Sequence, residues 1–184
     1  MKSRVWILFL FICVSIMACE NDLSKVKLYS KGNETPVETA KNIKILYSDS
    51  GKVQVEITAP VMEHFVTDKP YIEMPNGLEA IFYNERMEVK SRMKADYGIK
   101  YEREQRTEAR KNVIVINEKG EQLNTEHLVW DEKKQNLTSD EFVKITTKDE
   151  VIFGNGFEAN QDFSRYKIFK VTGTFSIPTH DKDS

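Results

Sequence analysis

Few residues in this chain of 184 are of a type that supports chemistry: Cys13 and Cys19, three histidines, scattered serines and acidic pairs, and one Gly-Asn-Gly run. Cys19 is the most informative. It follows Ile16-Met17-Ala18 where an apolar segment gives way to a polar chain, an order that matches a bacterial lipobox, whose cysteine thiol is acylated and becomes the new N-terminus. An ordinary cleaved signal and a short retained anchor are the alternatives. His64, His127 and His180 lack the close spacing of a metal site, so each reads as a surface or edge residue and no metal is expected. Cys19 is consumed by lipid, Cys13 is lost with the signal, and no serine sits in a Gly-x-Ser-x-Gly elbow, so no catalytic residue and no enzyme is expected. Gly154-Asn155-Gly156-Phe157 has the glycines of a phosphate loop, but a strand pattern follows where a helix N-terminus is required. Gly154, Gly156 and Gly173 are expected instead where a strand bends or packs closely. No cofactor is implied.

The apolar segment bounds where the chain operates. Lys2 and Arg4 precede 13 residues from Trp6 to Ala18 without a charge. That is short of the roughly 20 a membrane-crossing helix needs and fits a signal-peptide core. Removal before Cys19 takes away Lys2 and Arg4, leaving 25 basic against 29 acidic residues, a net charge of −4. The one remaining cysteine is then acylated, so no internal disulfide forms. Mixed, mildly acidic charge gives no case for nucleic acid or for an anionic membrane surface. Membrane attachment through a lipid anchor follows, at about 0.8 kcal/mol per buried methylene.

The elements that must position any site are strands. "MEVKSRMKADYGIKY" (87–101) alternates apolar and charged residues, and "KVQVEITA" places Val53, Val55, Ile57 and Ala59 on one face. Similar patterns recur at 77–83, 112–117, 122–130, 136–145, 150–159 and 167–175, separated by charged turns such as "SDSGK", "MPNG", "NEKGE" and "NQDFS". Short strands so spaced predict an antiparallel all-β roll or sandwich. A weak repeat of about 30 residues closes at 107–116, 138–145 and 166–175, as stacked β units do. The expected organisation is a signal peptide at 1–18, a lipidated N-terminus and tether at 19–42, a folded domain at 43–177 and a polar tail at 178–184.

"GKVQVEITAP", "KADYGIKY", "LNTEHLVWD", "LTSDEFVKI", "VIFGNGFEAN" and "KIFKVTGTF", in that order over 43–175, resemble the LptC family. The most specific part is the series Leu-x-Thr-x-x-Leu-x-Trp-Asp, Leu-Thr-Ser-Asp, Gly-x-Gly-Phe-x-Ala and a closing Val-x-Gly. The resemblance implies a twisted, open antiparallel β-jelly roll whose apolar interior holds the acyl chains of lipopolysaccharide. It also implies contact with the LptF and LptG subunits of the export ABC transporter at one end and an LptA-like periplasmic bridge protein at the other. Family members of the best-known type keep an N-terminal transmembrane helix. This chain has a lipobox in its place, so its fit to the transporter would rest on the β-domain.

The function so implied is receipt of lipopolysaccharide from the transporter and delivery to the bridge, in the periplasm, on a lipid anchor in the inner membrane. Strand parity nominates Val53, Val55, Ile57, Tyr97, Ile99, Val113, Val115, Leu128, Trp130, Val143, Ile145, Phe169, Val171 and Phe175 as interior residues in contact with lipid. Residues 43–47 and 167–177 are the expected pairing edges. The alternative is a non-transporting adaptor lipoprotein of the same fold with a filled core.

Overall fold

Alternating apolar and charged residues, with β-branched side chains frequent among them, favour extended chain. The computed structural model describes residues 35–177, which contain twelve strands and no helix. They are β1 (Glu38–Asp49), β2 (Lys52–Phe65), β3 (Tyr71–Met74), β4 (Leu78–Tyr83), β5 (Val89–Ala95) and β6 (Tyr97–Tyr101). β7 (Arg106–Asn117), β8 (Gln122–Asp131), β9 (Asn136–Thr146), β10 (Glu150–Asn160), β11 (Tyr166–Ile168) and β12 (Val171–Ser176) complete the set. Every pairing is antiparallel, in one continuous sheet whose outer strands are β1 at one side and β11 with β12 at the other.

This sheet is folded over on itself. The long strands bend near their middles, and the bends fall on one line: Asn42 opposite Pro60, Lys111 and Asn112 in β7, and Asn155 and Gly156 in β10. Asn42, Lys111 and Asn112 have φ of 52°, 64° and 50°, and the β7–β8, β8–β9 and β9–β10 ladders all shift register there. Bulges of this kind bend a strand without ending it. Proline, lacking an N–H, is tolerated where the ladder is interrupted. Layer A holds residues 38–41, 61–65, 106–110, 127–131, 136–139 and 157–160 with β3, β6 and β11. Layer B holds 43–49, 52–59, 113–117, 122–125, 142–146 and 150–154 with β4, β5 and β12. The result is a β-jelly roll in which the six long strands β1, β2 and β7–β10 belong to both layers. Its core joins them: the Trp130 ring of layer A stands edge-on to Phe82 and Tyr47 of layer B, at centroid distances of 5.7 Å and 5.4 Å.

The repeat seen in the sequence corresponds to successive hairpins, β6–β7, β8–β9 and β10–β11. Each turn leans on the one before, with Glu132 N donating to Gln105 O and Gln161 N to Gln135 O, both at 3.0 Å. Gln105 and Gln135 share a φ of 51°.

Three expectations need correction. β1 starts at Glu38, so the chain is already in the sheet before the boundary expected at 43. The 87–101 pattern is two strands, because the chain passes from layer B to layer A at Asp96, whose N–H donates to Lys111 O. The 167–175 pattern is also two, broken at Phe169 and Lys170 where the chain makes the same passage. The 1–18 signal segment, Cys19, His180 and the 178–184 tail lie outside the described residues.

Candidate functional site

The inner face of layer B carries one row of residues from edge to edge. Reading across the strands, Ile45 faces Ile57, then Ala80, Met93 and Val115. The row continues through Leu123, Ile145 and Ile152 to Thr174 on β12. Eight consecutive apolar positions on eight strands follow from keeping one parity on every strand, since a slip of one residue would put a polar side chain into the row. The central members are buried and Ile45 and Ile152, near the two edges, are half-buried. Leu128 and Ala109 of layer A, and Val113, Val143 and Leu78 of layer B, belong to the same core.

The far side of the sandwich, where the hairpin turns lie, is latched. Asn117 Nδ2, at the tip of β7, donates to Phe163 O in the turn after β10 at 3.0 Å. Phe163 is fully buried, has its ring centroid 5.1 Å from that of Tyr166 in a tilted arrangement and 5.7 Å from that of Phe157 edge-on, and has a φ of 54°. Asn160 holds that turn through the Ser164 hydroxyl and the Arg165 N–H. At the β1 side Lys100 Nζ donates to Glu132 Oε1 at 2.7 Å, with Thr107 Oγ1 on the same oxygen. Burial, then the charges of Glu132 and Asp49, push the Tyr47 phenol up. Along the bend line runs an open groove of about 840 Å³, its lining mostly apolar through Ile43, Ala59, Leu78, Ala95 and Ile114, with Asn42, Asp96 and Asn112 at its polar points.

The outer face of layer A is electrostatic. Glu108 is almost fully buried and accepts hydrogen bonds from Arg110, at 2.6 Å and 3.0 Å, and pairs with His127 at 3.1 Å and Arg106 at 3.3 Å. Burial pushes its carboxyl up, but the bonds from Arg110 and His127 and the charges of Arg110 and Arg106 outweigh it and hold it below the usual range. Burial and a hydrogen bond to Glu73 raise the Tyr97 phenol well above the ordinary tyrosine value. No group of three or more potential metal ligands occurs among the described residues. His64 Nε2 lies 3.3 Å from Glu102 Oε2 and His127 Nε2 lies 3.1 Å from Glu108 Oε2.

Of the nominated interior residues, Val55, Ile57, Val113, Val115, Leu128, Trp130, Val143 and Ile145 are in the core and Val53 is half-buried beside it. Tyr97 and Ile99 lie on the opposite face of β6 from the interlayer cluster, where Ile99 is nonetheless buried and Tyr97 half-buried. Gly98 takes the inward position, where an added Cβ would meet Leu78 Cδ2 at 2.6 Å and Met74 Cε at 3.0 Å, so its neighbours face outward with Glu73 and Glu108. Phe169, Val171 and Phe175 are 36 %, 55 % and 65 % exposed, because the even residues Tyr166, Ile168 and Thr174 take the inward positions on β11 and β12 and β12 lies at an edge. Phe175 stands edge-on to Phe153, which stacks on Phe142, on the outside of layer B. Gly154 and Gly156 flank the β10 bulge; a Cβ on Gly154 would collide with the Ile168 side chain and Phe169 O, and Gly156 has a φ of 100°. A Cβ on Gly173 would make ordinary contact with Phe175 Cε2 at 3.6 Å and Phe153 Cδ2 at 3.9 Å. Sequence reasoning missed Tyr47, Phe82, Met93, Asn117, Leu123 and Phe163. A phenylalanine inside the polar turn "NQDFSR" was the available signal for the last.

No curated protein matches the chain. A family model described as "Lipopolysaccharide-assembly, LptC-related" matches residues 5–175. Among the described residues no helix is long and apolar enough to cross a membrane. The match begins in the N-terminal apolar segment, ends within β12 and takes in all twelve strands, and by it the chain belongs to the LptC family, whose members serve lipopolysaccharide transport at the cell envelope.

Proposed function

We propose that the chain accepts lipopolysaccharide from the LptF and LptG subunits of the export ABC transporter and passes it to an LptA-like bridge protein, with the acyl chains between the two layers. The observation that carries this reading is the apolar row from Ile45 on β1 to Ile152 on β10, since it runs without a polar interruption from one edge to the strand beside the other. Acyl methylenes laid on such a row gain the same stabilisation per area as core side chains, about 25 cal/mol per Å². The unpaired outer edges of β1 and β12 suit strand addition by neighbouring rolls, upstream at 43–47 and downstream at 167–177. Membrane attachment comes from acylation of Cys19, in the periplasmic leaflet of the inner membrane. ATP is hydrolysed elsewhere, so this chain needs no catalytic group.

A second reading, a non-transporting adaptor, is favoured by one observation: Trp130, Phe82, Leu123 and Leu137 fill the interlayer space and are almost wholly buried. One experiment separates the two. A photo-crosslinking amino acid is placed at Val143 and Trp130, with Lys144 and Tyr97 as outward controls, and cells are probed for lipopolysaccharide adducts. Adducts at the inward pair that depend on ATP supply, with none at the controls, are expected for transport. Protein adducts alone would leave the adaptor.

A further inference from the structure

We propose that Trp130 Nε1 and Ser91 Oγ are hydrogen-bond donors held for the ester or amide carbonyls at the root of an acyl chain, and so set how deep an acylated ligand lies. The proposal rests on the transport reading and adds to it the polar contacts and orientation of the ligand. Of the polar residues buried in the roll, Thr107 and Glu132 bond each other, Asn117 bonds Phe163 O, Thr125 and Ser139 share a contact, and Glu108 is in its ion cluster. Ser91 Oγ and Trp130 Nε1, on residues 1 % and 2 % exposed, have no partner among the described residues. Arg106 Nε and Gln161 Oε1 are also unpartnered, but belong to the outer face and a turn. Buried donors without acceptors oppose folding, and each such group in a native structure calls for an explanation.

The two donors converge on one side chain. Ser91 is directly opposite Phe82 in the β4–β5 ladder, and the Phe82 ring stands against that of Trp130. They come from opposite layers and occupy the same depth. In layer B, Ser91 is one inward-facing step on the turn side of Met93, a member of the apolar row. In layer A, Trp130 is the inward-facing residue one step on the turn side of Leu128. Further out on the Trp130 row, opposite Thr107, stands Lys100. Its ammonium lies 6.0 Å from the Tyr47 ring centroid. Lys100 lies at the depth of Trp130 and is paired with the buried Glu132, so the level is marked by the two donors, with apolar rows toward the bend below them, the order of carbonyl root and chain in an acylated ligand. The chains of such a ligand then point to the bend line.

The test uses the full chain in detergent and two probes, a diacyl phosphatidylglycerol and its dialkyl ether analogue, which differ only in the two carbonyls. Each is titrated by displacement of a fluorescent apolar reporter. The wild type is expected to bind the ester form about five- to tenfold more tightly, the value of a hydrogen bond or two. Ser91→Ala and Trp130→Phe are expected to bring the ratio toward one, and Ser91→Ala to melt at or above the wild-type temperature, since it deletes an unpaired donor. Equal binding of both lipids by the wild type, or an unchanged ratio in both variants, would overturn the proposal and leave transport intact. A fall in the melting temperature of Ser91→Ala would also overturn it, by giving the hydroxyl a structural role. Failure to bind either lipid would overturn the transport reading and this proposal with it.

Discussion

Glu108 and Gly98 mark the two faces of layer A, and each makes a test at the level of a single residue. The Glu108 carboxyl titrates lower in the folded protein than in the unfolded chain, because Arg110, His127 and Arg106 favour its charged form more than burial disfavours it. Such a group adds stability above the ordinary carboxylate range, and that stability is lost as pH falls through the lowered value. Glu108→Gln is therefore expected to cost about 1–3 kcal/mol at neutral pH, with a gap from wild type that shrinks in acid. Melting curves between pH 7 and pH 3 check this, and a gap independent of pH would contradict it. Gly98→Ala is expected to cost about 1–3 kcal/mol by overpacking against Leu78 and Met74. Leu78→Val in the same chain should return part of that loss in denaturant titrations, because the crowded methyl is removed.

At the scale of elements the decisive features are the mid-strand bends. Lys111 adopts a positive φ in the β7 bulge, which is uncommon outside glycine and worst for β-branched residues. Lys111→Val is expected to destabilise by about 1–2 kcal/mol, whereas Lys111→Gly stays near wild type. Chemical denaturation of the pair checks whether the bend tolerates only left-handed backbone. These bends also explain what the sequence made legible. Each of β2, β4 and β7–β10 overlaps a run of alternating residues, and most central core positions, such as Val115 and Ile145, follow from parity. Alternation continues unbroken through Asp96, however, while the chain crosses to the other layer and the inward face changes from odd to even residues. Tyr97 and Ile99 were assigned to the interlayer face for that reason, whereas along 166–175 the even residues Tyr166, Ile168 and Thr174 face inward and the odd parity read there was the wrong one of two apolar faces. The short β3 has no alternation long enough to read. Asn117 ends β7 and Phe163 sits in a turn, and their partnership is set by the stacking of layers, which no local pattern encodes.

For the whole molecule, the latch at the turn side decides how readily the layers part. Asn117 donates to Phe163 O while its own Oδ1 accepts from Lys119 N and Glu121 N. Asn117→Asp keeps the acceptor and replaces the donor by a carboxylate facing a carbonyl, so a loss of about 1–3 kcal/mol is expected. Under the transport reading, uptake of a fluorescent acyl probe should become faster. Slower uptake, or an unchanged rate in a destabilised variant, would detach the latch from ligand access. The fold line runs across the strands, through Asn42, Asn112 and Gly156, and the ladder hydrogen bonds run along each layer on either side of it. The sheet therefore opens as a book does when its spine is set perpendicular to the printed lines. Parting the pages separates side chains and tears none of the lettering. Swelling around a guest then costs contact area between layers while the strand-to-strand amides remain shielded from exchange.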